Sequence, residues 1–238
     1  MKKPFKMNNI FNQFILSFTV IFLLASCGES PPSKLTIPYS EKDIQVDGVI
    51  DSEEWNQAAI IEKLVAPWEN DSTDKTLLKA FVSSNYFNFS FQVWDQTLVT
   101  IPFEKELSVA AGDRVELFFS SDSTLAKYYC IEMDPNGNVL DYSAEHYREF
   151  NESWDFININ VATEITDKGY SVEGRIPLAE LNELGISTSF YLGVFRADFK
   201  KPQSKDISWY SWIKPQNPTP DFHIPSAFAK TKFEAPIK

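Results

Sequence analysis

The chain has 238 residues and a net charge of −11 at pH 7, because 33 acidic residues outnumber 22 basic ones. Such a surface disfavours nucleic acid and anionic membrane faces as partners, and it leaves neutral ligands or cations such as calcium open. The two cysteines exclude a disulfide-rich framework, so the apolar core must stabilise the fold.

The first 26 residues have the features of a bacterial lipoprotein signal peptide. Three lysines precede an apolar run at residues 14–25, which is shorter than the roughly 20 residues that span a bilayer. The run ends in Leu-Ala-Ser-Cys, which resembles a lipobox, so we expect Cys27 to receive a lipid and to become the mature N-terminus. A plain secretory signal is the alternative.

Removal of that segment leaves 19 basic and 33 acidic residues, a net charge of −14. Cys130 is then the one cysteine without a lipid, which excludes an intramolecular disulfide. Residues 27–40 are rich in proline and small polar residues and are predicted to be a spacer. Residues 41–238 are long enough for one sizeable domain.

The sequence of the domain predicts a succession of β-strands. Residues 86–95 (YFNFSFQVWD) alternate strictly between apolar and polar positions, and the chain contains 20 phenylalanines. DPNGN at residues 134–138 predicts a hairpin turn. Short helices are predicted at 51–59 and 178–184. The pattern predicts an all-β antiparallel β-sandwich with strands at residues 86–95, 113–119, 128–133, 139–142, 156–161, 170–176 and 190–199.

Four segments in the same order resemble the family 9 carbohydrate-binding modules of the Bacteroidetes type: IQVDGVIDSEEWNQAA (44–59), DRVELFFSSD (113–122), YYCIEMDPNGNVLDY (128–142) and WYSWIKPQNPTPDFHIPSAFAKTKF (209–233). The resemblance covers residues 41 to 233. It implies a jelly-roll or immunoglobulin-like sandwich of the kind shared with DOMON domains, which bind sugars or haem. It also implies a non-catalytic module that binds glycan.

The proline-rich segment 211–228 is the first candidate for a sugar site. Proline fixes the backbone and reduces the entropy cost of binding, and aromatic side chains can stack on the apolar face of a sugar ring. In the family the Glu of the Asp-x-Val-Glu-x-Phe strand, Glu116 in this sequence, bonds sugar hydroxyls. The predicted site residues are Glu116, Arg114, Tyr210, Trp212, Phe222, His223 and Arg196.

A plainer interpretation remains for each of these residues. The aromatic side chains could close the end of the sandwich as core residues, and Glu116 could be a solvated strand carboxylate paired with Arg114 or with a cross-strand lysine. Alternation places Trp209 opposite to Tyr210 and Trp212, so at least one of the two tryptophans is expected to be buried.

The sequence departs from the sugar-binding members at two positions. Residues 108–112 read SVAAG and lack the tryptophan that those members carry before the strand, and residues 128–134 lack their arginine. Arg148 or Arg196 could substitute for that arginine.

Metal and cofactor sites have weaker support. The family resemblance implies that structural calcium could be held by Asp47, Asp51 and Asp95. Met133 with His223 or His146 could ligate haem, as in some DOMON relatives, but alternation favours a core methionine. The DPNGN turn lacks the spacing of an EF-hand.

No catalytic motif of a hydrolase or a nucleotide-binding enzyme occurs, and with two histidines a triad is not expected. We therefore expect a non-enzymatic, lipid-anchored carbohydrate-binding protein of the bacterial cell envelope that supports polysaccharide capture or catabolism, with polysaccharide-degrading enzymes or envelope proteins as partners. The alternatives are a partner-docking lipoprotein that lacks a sugar site, and a haem-binding or catalytic variant.

Overall fold

The computed structural model describes residues 35–50, 53–69, 75–202 and 204–234. The predicted signal peptide, Cys27, most of the spacer and Asp51 lie outside these residues. Within them, every helix is too short or too polar to cross a bilayer.

The described residues contain thirteen strands. In chain order they are β1 (Leu35–Ile37), β2 (Ala59–Ile61), β3 (Thr76–Val82), β4 (Tyr86–Trp94), β5 (Arg114–Ser120), β6 (Tyr128–Met133), β7 (Val139–Glu145), β8 (Glu149–Asn151), β9 (Asn160–Thr166), β10 (Gly169–Pro177), β11 (Ser189–Phe199), β12 (Ile207–Ser211) and β13 (Ala229–Phe233). The helical segments are short: one α-helix, α1 (Leu178–Glu183), and two 3₁₀ helices, Glu106–Ala111 and Pro225–Ala227.

The strands form two sheets, which confirms the predicted β-sandwich. The eight-stranded sheet has the order β1-β13-β11-β5-β6-β7-β8, and β12 pairs with β11 beside this row. The five-stranded sheet has the order β2-β3-β4-β10-β9. All pairs are antiparallel except β1 with β13.

The main core lies between the inner faces of the two sheets. The alternating phenylalanines of β4 (Phe87, Phe89 and Phe91) are fully buried and meet the inward face of β5 (Val115, Leu117 and Phe119). Side chains of a strand alternate between the two faces of the sheet, and the inner face must be apolar. The alternating phenylalanines therefore predict β4 from sequence alone.

The element bounds correct two predictions. The strand predicted at 156–161 is instead β9, Asn160–Thr166, which lies later in the chain. The helix predicted at 51–59 is wrong for the described part, because residues 53–57 form turns and β2 begins at Ala59. The helix predicted at 178–184 is confirmed as α1.

The outer face of the five-stranded sheet is covered by the segment that carries the Asp-Gly turn. Glu173 on β10 accepts hydrogen bonds from the backbone amides of Asp47 (3.0 Å) and Gly48 (3.3 Å) and from the indole Nε1 of Trp55 (3.1 Å). Gly48 has φ of +89°, and a Cβ there would lie 2.6 Å from the backbone of Thr163. The turn therefore requires glycine and is a structural feature.

We predict that Glu173→Ala destabilises the domain by about 3 kcal/mol, because it leaves buried donors without an acceptor. Chemical denaturation measures this directly, with Glu164→Ala on the exposed edge strand β9 as the matched control. Equal midpoints for the two variants would contradict this role of Glu173.

Candidate carbohydrate-binding site

A pocket of about 320 Å³ opens on the outer face of the eight-stranded sheet, at the low end of the range for small-molecule sites. Its floor comes from the outward side chains of three adjacent strands. Arg114 and Glu116 lie on β5, Glu132 lies on β6, and Tyr142 lies on β7. Alternation places them opposite the core residues, as expected for Glu116.

Three ionisable groups of the floor are buried together. The Arg114 Nε donates a hydrogen bond to Glu132 and lies 3.0 Å from the Glu116 Oε1. The Tyr142 hydroxyl donates to the other Glu132 oxygen over 2.9 Å. Glu116 is 1% exposed, and its Oε1 has no hydrogen-bond partner although the guanidinium is near. The floor thus offers an unused acceptor to a ligand.

The position of Arg114 is fixed from the neighbouring 3₁₀ helix, Glu106–Ala111. Its Nη1 donates to the carbonyl of Ala110 over 3.1 Å, and its guanidinium lies 5.6 Å from the ring centroid of Trp209. Arginine is well suited to this role, because it can bond several acceptors while it stacks on an aromatic face.

Aromatic side chains form the walls. Trp209 projects from β12, Phe150 comes from β8, and Phe222 and His223 come from the proline-rich segment. Phe222 stacks on Phe195 of β11, with ring centroids 4.2 Å apart. The proline-rich segment therefore lies against the sheet and forms one side of the pocket.

A second polar group lies near the rim. Asp221 accepts hydrogen bonds from Arg148 (3.1 Å) and from the backbone amide of His223 (2.9 Å). The His223 Nδ1 lies 3.1 Å from the Tyr128 hydroxyl. Burial, and then the nearby Arg148, lower the pKa of His223 to about 3, so the ring is neutral at physiological pH.

Burial raises the pKa of Glu116 to about 8, with a further contribution from Glu132 that Arg114 only partly offsets. Two carboxylates beside one guanidinium cannot both ionise at low cost away from water. The free pocket consequently holds a proton on this pair at neutral pH.

The pocket contains four of the seven predicted site residues: Arg114, Glu116, Phe222 and His223. The interpretation of Glu116 as a solvated surface carboxylate is wrong, because the side chain is buried, although it does pair with Arg114.

The other three predicted residues lie outside the pocket. Tyr210 is buried in the main core between the sheets, and Trp212 packs against that core. Arg196 pairs with Asp95, and its guanidinium lies 5.5 Å from the ring centroid of Tyr210. Tyr210 and Trp212 are therefore core residues, as the plainer interpretation has it. Arg196 forms an ion pair on the inner side of the eight-stranded sheet.

Sequence reasoning did not assign Trp209, Glu132 and Phe150 to the site. The signal for Trp209 was present, because alternation put it opposite to Tyr210, and Tyr210 faces the core. Trp209 pairs in register with Ala197 of β11, which pairs with Arg114 of β5. Phe150 lies on the short strand β8, after a turn, and a strand of three residues shows no alternation from which its face could be predicted.

The departures from the sugar-binding pattern appear as a change in the pocket wall. Leu107 and Ala110, at the segment where the family resemblance implied a tryptophan, line the pocket with small or aliphatic side chains. Glu132 lines it from β6, where the resemblance implied an arginine, and Arg148 lines the rim. The candidate substitute Arg148 is thus at the pocket, and Arg196 is not.

Two acidic groups could be considered for calcium, because their carboxylate oxygens lie within 4.8 Å of one another: Asp95 with Asp113 and Asp198, and Glu106 with Asp141 and Asp155. Arg196 and Lys200 pair with members of the first group, so a divalent cation does not fit it well. The predicted ligand Asp47 uses its Oδ1 to accept from the amide of Val49 (2.9 Å).

A haem held by Met133 and His223 does not fit the fold. Met133 is fully buried in the core between the sheets, whereas His223 packs against the outer face of the eight-stranded sheet. The core interpretation of Met133 agrees with the structure.

The sandwich and its pocket define a β-sandwich binding domain. Residues 46–234 match the family described as carbohydrate family 9 binding domain-like, so the chain belongs to this family. Its members are non-catalytic binding modules, which confirms the expectation of a domain that is not an enzyme. A search of curated proteins found no match to the sequence.

Solved structures share the fold. A proposed carbohydrate-binding protein from Bacteroides uniformis aligns with a TM-score of 0.68 at 12% identity, over 85% of this chain and 100% of that one. A family 9 module from Caldicellulosiruptor kristjanssonii in complex with cellotriose gives 0.60 at 16% identity, over 87% and 100%. A family 9 module from the same organism in complex with glucose gives 0.56 at 17%, over 85% and 96%.

We predict that the pH dependence of stability changes in Glu116→Gln. A folded-state pKa raised from 4.5 to about 8 contributes stability that is fully present below pH 4.5 and is lost as pH rises through about 8. The variant lacks this loss, so its stability relative to the native protein should increase across that window by an amount on the order of 3 kcal/mol.

Denaturant titrations between pH 4.5 and 8.5 measure the difference, and Glu164→Gln on exposed β9 is the control. Parallel pH profiles for the native protein and Glu116→Gln would mean that the carboxyl is not perturbed as described.

Proposed function

We propose that the protein binds carbohydrate in the pocket between β5, β6, β7 and the proline-rich segment. The observation that carries this proposal is the combination of a buried Arg114–Glu116–Glu132 floor with aromatic walls in one small concave site.

The chemistry of the pocket suits a sugar ring. A sugar presents apolar C–H faces, which can stack on Trp209 or Phe150, and hydroxyl groups at its edge, which need acceptors and donors. Glu116 has an oxygen without a hydrogen-bond partner, and Arg114 offers charged donors, whose hydrogen bonds are the stronger ones. A buried polar floor that is already ordered also lowers the entropy cost of binding.

The relatives support the same proposal. The two modules from Caldicellulosiruptor kristjanssonii are complexes with cellotriose and with glucose. At such low identity these structures show that the fold is shared. The argument for a sugar in this pocket depends on the residues described above.

The proposal extends to the cell envelope. A lipid on Cys27 would hold the domain at a membrane through the spacer 27–40, where it could capture polysaccharide for degrading enzymes or other envelope proteins. The lipobox and the positive segment before the apolar run support this part.

We expect Trp209→Ala to weaken glycan binding roughly tenfold or more, because stacking on an aromatic ring contributes about 1–3 kcal/mol. Calorimetric titration with a glycan found on an array measures the loss. Trp94→Ala is the matched control, since Trp94 is 44% exposed and lies on the other sheet.

A second pair covers the case in which Trp209→Ala fails to fold. Phe150 and Phe103 are comparably exposed, and only Phe150 lines the pocket. Phe150→Ala should weaken binding while Phe103→Ala should not. Absence of binding across a broad glycan array would instead favour a partner-docking protein without a sugar site.

We expect Cys27→Ser to abolish lipidation. The variant should leave the membrane fraction, or be retained there only through an uncleaved signal peptide. Mass spectrometry of the mature N-terminus and detergent partitioning measure the outcome, and an unchanged mass with unchanged partitioning would disprove the anchor.

A further inference from the structure

The floor of the pocket holds more carboxyl groups than cations. Among its lining residues, all of which the structure describes, Arg148 pairs with Asp221 at the rim and Glu152 is exposed to water. The floor then sets the single guanidinium of Arg114 against the carboxyl groups of Glu116 and Glu132. With both ionised, one negative charge would be in excess under the aromatic walls, where water screens it poorly, and the free pocket avoids this at neutral pH by holding a proton on the pair.

The hydrogen-bond pattern shows which carboxylate is left over. Arg114 donates its Nε proton to Glu132, and the Tyr142 hydroxyl donates to the other oxygen of Glu132. Glu116 lies within 3.0 Å of the guanidinium without an aligned hydrogen bond, and its Oε1 is buried and lacks a partner. A buried acceptor of this kind is costly unless something donates to it.

We propose that the preferred ligand of this pocket is an amino sugar, whose primary ammonium group binds at Glu116 beside the Arg114–Glu132 pair; this rests on the carbohydrate binding proposed above. An ammonium group can take over the neutralising role of the proton on the carboxylate pair, and it brings three donors. A neutral hydroxyl group brings one donor and leaves that proton in place. The aromatic walls favour the same choice, because ring faces attract cations.

Binding of a cation should also displace a proton. In the free pocket the raised pKa of Glu116 keeps a proton on the carboxylate pair at neutral pH. An ammonium group replaces that proton, which leaves to the buffer, whereas a neutral sugar does not. The titratable and charged groups that face Glu116 or the rest of the pocket are Arg114, Cys130, Glu132, Tyr142, His223 and, at the rim, Arg148, Glu152 and Asp221.

The test compares matched sugars by isothermal titration calorimetry at pH 6.5, where a primary amine is protonated. The probes are the methyl glycosides of glucosamine, galactosamine and mannosamine, each beside the hexose with a hydroxyl at C2 and the N-acetylated form. Titrations in two buffers of different ionisation enthalpy count the released protons.

We expect at least one hexosamine to bind roughly tenfold or more tightly than its hexose and its N-acetylated form, with proton release. Hexoses that bind as well as their hexosamines, without proton release, would overturn the amino-sugar assignment and leave carbohydrate binding intact. Absence of binding for all these sugars and for a broad glycan array would overturn both proposals.

Glu116→Gln tests the proposed partner of the ammonium group. It keeps the shape of the side chain and removes its charge, so the preference for the hexosamine over the hexose should fall to near unity and proton release should cease. Glu164→Gln on the exposed edge strand β9, outside the pocket, is the matched control and should retain both. Retention of both in Glu116→Gln would contradict the assignment.

A simple alkylammonium ion separates the two parts of the ligand. Butylammonium should bind far more weakly than the hexosamine, because it lacks the ring that stacks on the walls. Equal affinity would mean that the pocket recognises an ammonium group alone, as on a lysine side chain, and would overturn the sugar part.

Discussion

The opposite faces of β5 are the constraint on which the rest of the structure depends. Val115, Leu117 and Phe119 point into the core between the sheets, so Arg114 and Glu116 must point outward. A shift of one residue in register would exchange the two sets and put an ion pair into the core. The inward packing thus fixes both the fold and the position of the pocket floor.

Outward side chains are usually solvated, but in this domain both outer faces are covered by irregular segments. The segment with Trp55 covers the five-stranded sheet and depends on Glu173, whose carboxylate replaces strand pairing for the Asp-Gly turn. The proline-rich segment with Phe222 covers the eight-stranded sheet by stacking on Phe195. The first cover supplies three donors to Glu173, whereas the second leaves a pocket above ionisable groups.

The sequence was sufficient for the sandwich, most strands and the outward placement of Glu116, because period-2 alternation follows from backbone geometry alone. It was not sufficient for the walls of the pocket. Choosing between Trp209 and Trp212 required knowing which face of β12 meets the core, and that depends on its pairing with β11. Glu132 gave no signal of its own, since its importance comes from lying directly opposite Glu116 on β6. The strand predicted at 156–161 failed because Ile157 and Ile159, although apolar and alternating, fall in an irregular segment before β9.

The buried charges on the floor are difficult to explain as a stabilising feature. Buried ion pairs cost desolvation that their attraction often fails to offset, and apolar residues of similar size would usually be as good or better for stability. This floor has one carboxylate more than its cation can satisfy, so its cost is higher than that of a simple pair. Tyr142 and the carbonyl of Ala110 hold Glu132 and Arg114 in place, but nothing in the described chain donates to the Glu116 Oε1. Functional sites commonly keep such unsatisfied groups at the expense of stability. Glu116 lines the pocket between rings that favour a flat, partly apolar ligand, so a ligand donor is one way in which this oxygen can be satisfied.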